Sequence, residues 1–286
     1  MDCKKTAESI QIWLTDYLNK SGQKGFVVGV SGGIDSAVVS ALCARTEIPT
    51  LCLNLSIRQH LKHVQCAVDQ FTYLEQFKNV EKIYLNLSSV FNLIEEALMI
   101  PDKLAMANTR SRLRMTILYA YAGWRKYLVV GTGNKVEDYG VGFFTKYGDG
   151  GVDLSPIAQL TKTQVYDLAT YFGIPYSIQR VAPTDGLCAD GRTDEDQLGD
   201  TYADLEKAMG FCDQFNIKTV DDVISQSSPS MFRGSVRTLM NYIVRHNSAK
   251  HKMSMPPVGP LPIYSLIGGS NAGENLSEGA RNSEAG

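Results

Sequence analysis

The chain has 286 residues, 28 Lys and Arg against 30 Asp and Glu, a formal net charge of -2 and 44% hydrophobic residues. Its length allows one large domain or two small ones, and its composition is that of a globular protein rather than a disordered one. The near-neutral charge provides no overall basic field for neutralising nucleic-acid phosphates, although it leaves room for a local basic patch. We expect no nucleic-acid partner.

The six cysteines are scattered, without a C-x-x-C pair or a Cys/His cluster at zinc-site spacing. Such cysteines are typical of reduced thiols inside a cell. The N-terminal segment lacks the continuous apolar run of a signal peptide, and no run approaches the roughly 18 apolar residues that a membrane span needs. We therefore expect a soluble cytoplasmic protein with no membrane partner.

Helical periodicity and short apolar runs alternate along the first 131 residues. Helical spacing of apolar residues predicts an amphipathic helix first, and a glycine break then leads into the first apolar run. Repeated strand and helix signals predict an α/β fold with a doubly wound, mostly parallel, Rossmann-like sheet flanked by helices. The predicted strands cover 26–30, 50–55, 82–87 and 127–131, and the predicted helices cover 10–18, 37–42, 60–77, 90–99 and 103–124.

The second half of the chain carries longer polar stretches. Residues 131–156 and 182–200 are rich in glycine or polar residues and predict functional or mobile loops. Helices are predicted over 160–172, with Thr161 as N-cap, and over 201–209 and 235–246. We expect a single domain over 1–267 and a disordered tail over 268–286, because the tail's composition cannot bury a core.

A glycine turn, S-G-G-I-D-S at 31–36, connects the first predicted strand to its helix. Unpaired N–H groups at a helix N-terminus favour an anion, and two glycines let the backbone approach a ligand, so the turn predicts a phosphate site. Asp35 would repel phosphate unless a divalent cation lies between them, which suggests Mg²⁺. A plain helix entry without a ligand is the alternative.

Several motifs together resemble the N-type ATP pyrophosphatases, and within them the ammonia-dependent NAD synthetases. The glycine turn resembles the superfamily's pyrophosphate loop. The stretch K-Y-G-D-G-G-V-D at 146–153 is much more specific to the NAD synthetases. Further matches are N-T-R-S-R-L-R-M at 108–115, G-T at 131–132 followed by Glu137, L-T-K-T-Q-V at 160–165, P-T at 183–184, the acidic segment at 194–199 and H-K at 251–252.

The resemblance implies an adenine nucleotide alpha hydrolase-like fold and a two-step reaction. The carboxylate of deamido-NAD would attack ATP, pyrophosphate would leave, and ammonia would convert the adenylated carboxyl to the amide of NAD, releasing AMP. The implied catalytic residues are Asp35 and Lys162, and the implied Mg²⁺ ligands are Asp35 and Glu137. The implied ATP-binding residues are Gly29, Ser31, Gly32, Gly33, Asp35, Ser36, Thr132, Lys162 and Thr184.

The same resemblance implies deamido-NAD contacts at Arg112, Lys146, Asp153, His251 and Lys252, and a homodimer with the 103–124 helix as the expected interface. Lys162 opens a predicted helix, where a lysine opposes the helix dipole, so a phosphate partner would explain it; a surface lysine is the alternative. His60 and His63 lie three residues apart without a third ligand nearby, and we interpret them as structural.

The nitrogen donor is expected to be free ammonia, unless a separate partner chain supplies it. Only 30 residues precede Ser31 and little chain follows Lys252, so we expect no glutaminase domain. Two other functions remain open. One is an adenylating amidotransferase of the same superfamily acting on a sugar or nucleobase, and the other is a non-catalytic nucleotide-binding protein.

Overall fold

The structure is a computed structural model that describes residues 1–184, 193–225 and 232–260. Four parallel strands form one sheet in the order β3-β2-β1-β4. Phe26 of β1 lies opposite Thr50 of β2 and Leu128 of β4. The strands are β1 (Phe26–Gly29), β2 (Thr50–Ser56), β3 (Val80–Asn86) and β4 (Leu128–Val130).

Eleven α-helices are present in the described ranges, together with a π-helix over Lys135–Val141 and 3-10 turns at Leu74–Gln76 and Lys250–Lys252. Local capping chemistry sets several helix ends. The α-helices are α1 (Cys3–Ser21), α2 (Ile34–Ala44), α3 (Leu61–Tyr73), α4 (Ser88–Leu98), α5 (Lys103–Arg125), α6 (Lys162–Phe172), α7 (Tyr176–Gln179), α8 (Asp194–Leu198), α9 (Tyr202–Phe215), α10 (Val220–Ser225) and α11 (Val236–Ala249).

Both faces of the sheet are covered by helices. Phe26 and Val28 of β1 join a buried cluster with α1, α2 and α6, while Val27 joins a separate cluster with α5. Successive strand residues point to opposite faces, so β1 contributes to both cores. The predicted doubly wound α/β fold is therefore confirmed.

A third buried cluster is helical. It joins the π-helix to α9 and α11, through apolar residues such as Val136, Leu205 and Leu239. Helices over 201–209 and 235–246 were predicted, whereas the π-helix and the packing of these elements into one cluster were not. We call it the helical lobe, comprising the π-helix and α8–α11.

Two predicted loops contain helical structure. The π-helix lies inside the predicted 131–156 loop, because Asn134 caps it by accepting hydrogen bonds from the Val136 and Glu137 N–H groups. Helix α8 lies inside the predicted 182–200 loop, where Thr193 and Asp196 form a capping box. Helices α7 and α10 were not predicted. The predicted tail over 268–286 and the 185–192 part of the second loop lie outside the described residues.

Met1–Met253 form one compact unit. A second begins at Ser254, and its described residues, 254–260, contain no helix or strand. In the described part of the chain, every helix is too short or too polar to cross a membrane.

Candidate active site

The glycine turn lies between the end of β1 and the start of α2. Gly32 has φ +90, and a Cβ there would lie 2.4 Å from the His63 carbonyl oxygen, so only glycine fits beside the start of α3. The turn is braced internally: the Ser36 hydroxyl donates to the Gly33 carbonyl at 2.9 Å, and the Ser31 hydroxyl accepts from the Gly33 N–H at 3.2 Å. A rigid turn therefore presents the N-terminus of α2 to an adjoining cavity.

A buried lysine links two carboxylates beside this turn. Lys162 Nζ lies 2.6 Å from Asp35 Oδ2 and 2.9 Å from Glu137 Oε1. Asp35 belongs to the first turn of α2, Glu137 to the π-helix, and Lys162 to the first turn of α6 behind the Thr161–Gln164 capping box. We call these three side chains the Lys162 centre.

Asn134 ties the elements of the Lys162 centre together. Its side-chain Nδ2 donates to Asp35 Oδ1 at 3.1 Å, while its Oδ1 caps the π-helix that carries Glu137. Asn134 is fully buried, so both ends of its amide are used inside the protein. One amide group thus links Asp35 to the N-terminus of the π-helix that carries Glu137.

The charges of the centre act unequally, since burial raises the pKa of Asp35 above its ordinary value, Lys162 opposes that rise, and the nearby Glu137 adds to it. Burial lowers the pKa of Lys162, but Asp35 and Glu137 outweigh burial and raise that pKa above its ordinary value. Burial raises the pKa of Glu137, yet Lys162 and the Tyr202 hydroxyl bring it below the usual range. Lys162 and Glu137 therefore stay ionised at neutral pH.

The helical lobe adds a tyrosine to the centre. The Tyr202 hydroxyl donates to Glu137 Oε1 at 2.5 Å and lies 3.2 Å from Asp194 Oδ2. Lys162 Nζ lies 4.8 Å from the centroid of the Tyr202 ring. Burial, followed by the Glu137 and Asp194 carboxylates, raises the pKa of Tyr202, which keeps the hydroxyl protonated.

The donor set fits a divalent cation. Asp35 and Glu137 already converge on one positive charge, the Lys162 ammonium, with oxygen donors of the kind that Mg²⁺ prefers. Within the described residues, no group of three or more His, Cys, Asp or Glu side chains is arranged to hold a metal ion. Two carboxylates suit Mg²⁺, which commonly completes its shell with water and substrate phosphates.

Three positive side chains, Lys146, Arg112 and Lys252, make hydrogen bonds from or to the loop over residues 142–153, which we call the acceptor loop. Lys146 Nζ donates to the His251 carbonyl at 2.7 Å, Lys252 Nζ donates to the carbonyls of Phe144 (2.8 Å) and Gly142, and Arg112 Nε donates to the Lys146 carbonyl at 3.2 Å. These bonds join the loop to α5 and to the segment after α11.

Asp153 ends the acceptor loop and anchors it to the sheet. One oxygen accepts the Val129 N–H of β4 at 2.7 Å, and the other accepts the Tyr119 hydroxyl of α5 at 3.0 Å. Asp153 also borders a shallow groove that includes Trp13 and Tyr17 of α1. Its carboxylate is therefore engaged by the protein's own framework.

Comparison with known proteins identifies the family. The profile of the NAD synthase family matches residues 6–256. The chain is 41% identical over 208 residues to an NH(3)-dependent NAD(+) synthetase of Mycoplasma genitalium, covering 72% of this chain and 82% of the relative. The chain belongs to the NAD synthase family. An NH(3)-dependent NAD(+) synthetase of Alkaliphilus metalliredigens is 35% identical over 270 residues, covering 90% of this chain and 99% of the relative.

Solved structures of the NAD synthase fold agree with this assignment. An NMN synthetase from Francisella tularensis matches with a TM-score of 0.77 and 30% identity, over 91% of this chain and all of that one. An NH3-dependent NAD synthetase from Campylobacter jejuni matches with a TM-score of 0.70 and 23% identity, over 91% of this chain and all of that one, which shows a shared fold.

In this NAD synthase family member, the cavity has a volume of about 240 Å³ and is lined by most of the predicted ATP-binding residues. Gly32 is the exception, since it packs against α3. Predicted deamido-NAD residues lie outside the cavity lining, on or beside the acceptor loop. The predicted residues that line the cavity are Gly29, Ser31, Gly33, Asp35, Ser36, Thr132, Glu137, Lys162 and Thr184.

The structure excludes one alternative for Lys162 and places His63 beside the cavity. Lys162 is only 2% exposed and contacts two carboxylates, so it is no surface lysine and its partners in this structure are protein groups. His63, which we interpreted as structural, lines the cavity and lies 3.4 Å from the Thr184 hydroxyl. The spacing of His60 and His63 in the sequence does not predict that His63 lines the cavity.

Sequence reasoning missed two further residues of the site, Tyr202 beside the Lys162 centre and Asp149 in the cavity lining. Tyr202 belongs to no motif, and only its contact with Glu137 reveals it. Asp149 lies within the recognised K-Y-G-D-G-G-V-D stretch and accepts the Ser111 hydroxyl at 2.6 Å and the Thr145 N–H at 3.0 Å. Burial raises the pKa of Asp149. The motif itself was the signal that could have singled out Asp149.

Proposed function

We propose that the protein catalyses ATP-dependent amidation of deamido-NAD to NAD, with ammonia as the nitrogen donor. The observation that carries the proposal is the Lys162 centre, where a lysine and two carboxylates converge beside a glycine turn and a helix N-terminus. Family membership supplies the reaction class, because the curated relatives are NH(3)-dependent NAD(+) synthetases. The protein is accordingly a ligase that forms a carbon–nitrogen bond.

The reaction has two balanced steps. A carboxylate oxygen of the pyridine ring attacks the α-phosphorus of ATP, the bond to the bridging oxygen breaks, and pyrophosphate leaves. Ammonia then attacks the acyl carbon, AMP leaves with the former carboxylate oxygen, and one proton is released. No covalent bond to the protein is needed, so the chain contributes orientation and charge.

The ATP end uses groups whose geometry is described above. The N–H groups of the 31–36 turn and the dipole of α2 would hold phosphate oxygens, and Thr132 and Thr184 border the same cavity. Asp35 and Glu137 would hold Mg²⁺, which when bound neutralises phosphate charge. Lys162, which lines the same cavity, would add its positive charge there.

The acceptor end would bind the dinucleotide. Arg112, Lys146, Asp153, His251 and Lys252 lie on or beside the acceptor loop, where positive side chains favour an anionic ligand. The hydrogen bonds of Lys146 and Lys252 hold this loop against the segment after α11. A closed loop would protect the adenylated carboxyl from water.

The proposal also includes a cytoplasmic homodimer of single-domain chains over 1–267, without a nucleic-acid or membrane partner. Support for the dimer comes from exposed apolar side chains on and beside α5, since an interface would remove such side chains from water. These side chains are Leu93, Met99, Leu104 and Trp124. Analytical ultracentrifugation of the full chain tests the dimer.

A second acceptor is supported by one observation. The Francisella tularensis NMN synthetase structure covers all of its own chain and 91% of this one at 30% identity. By that likeness, the carboxylate of nicotinate mononucleotide is the alternative substrate, and the same two steps would give NMN. Amidation of a sugar or nucleobase and non-catalytic nucleotide binding have no comparable support among the relatives.

A single assay separates these possibilities. The purified chain is mixed with ATP, Mg²⁺ and either ammonium or glutamine, and with either deamido-NAD or nicotinate mononucleotide. We expect NAD, AMP and pyrophosphate in equal amounts with ammonium and deamido-NAD. A higher kcat/KM with the mononucleotide would assign the second acceptor instead. The Asp35→Asn variant is the control, and product formation at the wild-type rate in that variant would contradict the assigned site.

A further inference from the structure

Tyr202 makes two different contacts with the Lys162 centre. Its hydroxyl donates to Glu137 Oε1 at 2.5 Å, and its ring lies against the Lys162 ammonium at 4.8 Å. Since the hydroxyl carries one proton and Asp194 Oδ2 lies farther away, at 3.2 Å, the hydrogen bond to Glu137 is the principal one. Tyr202 is thus a neutral donor aimed at a carboxylate that also pairs with a cation.

The position of Tyr202 is set by the helical lobe. It is the first residue of α9, behind the N-cap Thr201, and its backbone N–H donates to the Glu195 carboxylate at 2.9 Å. The side chain is 6% exposed and belongs to the buried cluster of this lobe. Both the backbone and the ring are therefore held before any ligand binds.

We propose that Tyr202 is a positioning residue that holds the Glu137 carboxylate in the orientation required for the divalent cation. The inference rests on the proposed function, because it assigns Tyr202 a role toward the same cation site. Tyr202 touches neither ATP nor the acceptor in this role. It acts through Glu137.

Packing alone does not require the hydroxyl. A phenylalanine would fill the same apolar space, whereas a buried hydroxyl costs free energy unless it has a partner. Here the partner is the Glu137 carboxylate, whose Oε1 also accepts from the Lys162 ammonium at 2.9 Å. Groups that orient the ligands of a metal typically change metal affinity or activity by about 10- to 100-fold when removed.

The Tyr202 hydroxyl is one of two donors to the same Glu137 oxygen. Lys162 and Tyr202 both approach Glu137 Oε1, from α6 and α9 respectively. If Lys162 moved toward a phosphate, Tyr202 would still hold that oxygen. The Tyr202 hydroxyl thereby keeps the carboxylate plane fixed while the charge beside it changes.

The experiment compares the wild type with Tyr202→Phe, which keeps the ring and removes only the hydroxyl. Mn²⁺ binding is measured by electron paramagnetic resonance with a non-hydrolysable ATP analogue, and kcat and KM for Mg²⁺ are measured separately. We expect the Mn²⁺ dissociation constant and the KM for Mg²⁺ to rise about 10- to 100-fold. The free energy of unfolding, followed through the melting temperature, should fall by less than the free energy of Mn²⁺ binding.

Tyr242→Phe is the matched control. Tyr242 is buried in the same cluster, and no hydrogen bond joins it to Glu137 or Lys162 in the described part of the chain. A second test uses Glu137→Gln, in which the added Tyr202→Phe substitution should weaken Mn²⁺ binding less than it does alone.

Unchanged Mn²⁺ binding and Mg²⁺ dependence in Tyr202→Phe would overturn the inference while leaving amidation by the wild type intact. Equal losses in Tyr202→Phe and Tyr242→Phe would also overturn it, since they would show a general packing effect. Failure of the proposed function is a separate result: the wild type would then form neither NAD nor NMN.

Discussion

The Lys162 centre and the acceptor loop differ in the groups that their lysines contact. The lysine of the centre contacts carboxylates, whereas Lys252 at the loop contacts backbone carbonyls. At the centre, one lysine meets two carboxylates, so when all three groups are ionised the net charge is negative and a further positive charge is favoured. At the acceptor loop, Lys252 donates to the backbone carbonyls of Gly142 and Phe144. A carbonyl carries no net charge, so these hydrogen bonds hold the Lys252 ammonium without neutralising it.

Because of this difference, removing a charge should have different effects at the two places. A charge removed from the centre leaves its partners buried and uncompensated, which is costly for the fold. A charge removed from the acceptor loop breaks hydrogen bonds that position a loop, which affects ligand binding more than the core. The ATP end should therefore fail through stability and metal binding, and the acceptor end through substrate affinity.

The largest effect is expected for Lys162→Met. This change leaves Asp35 and Glu137 facing each other without a cation, and removing one partner of a buried pair costs about 3–5 kcal/mol. Urea unfolding should show that loss in the absence of Mg²⁺, with a larger recovery on adding Mg²⁺ than in the wild type. Lys207→Met, on the exposed face of α9, is the control and should cost under about 1 kcal/mol. Equal Mg²⁺ dependence in wild type and Lys162→Met would contradict the comparison.

Lys252→Met tests the acceptor end. The substitution removes the bonds to the Gly142 and Phe144 carbonyls, so we expect the KM for the dinucleotide to rise about tenfold or more, equivalent to about 1.4 kcal/mol. The KM for ATP should change far less. Lys250→Met alters an exposed lysine of the same 3-10 turn and should behave as the wild type. An equal rise in the KM for ATP and the KM for the dinucleotide would contradict the separation of an ATP end from an acceptor end.

Tyr119→Phe gives a smaller change at the same end. The loss of one hydrogen bond to Asp153 should lower the free energy of unfolding by about 1 kcal/mol and raise the dinucleotide KM slightly. Tyr121→Phe, two residues along α5, is the control. If stability falls without any change in KM, Asp153 serves the framework rather than the acceptor.

The sheet half was accessible from sequence because its signals are local. An apolar run, two glycines and a helical pattern lie within about twenty residues, and β1, the turn and α2 follow directly from them. The sheet order β3-β2-β1-β4 has no such local signature. It depends on which strands pair across long stretches of chain.

The site was accessible only in part. Asp35, Glu137 and Lys162 were named through the family resemblance, but Lys162 lies 127 residues from Asp35, and no local pattern states that they touch. Tyr202 carries no motif at all, because its role depends on how α9 packs against the π-helix. Tertiary placement, rather than residue type, decides such contacts.

The smallest effect is expected for His63→Gln at the ATP end. Burial, aided by His60, lowers the pKa of His63 below 6.5, so between the two pKa values the unfolded chain binds more protons than the folded one. The wild type should therefore lose stability as pH falls below 6.5, and His63→Gln should lose less. Because His63 is half-buried, the difference should stay under about 1 kcal/mol. Urea unfolding at pH 7.5 and at pH 5.5 measures it, and a difference that is the same at both values would show that His63 is not desolvated beside the cavity.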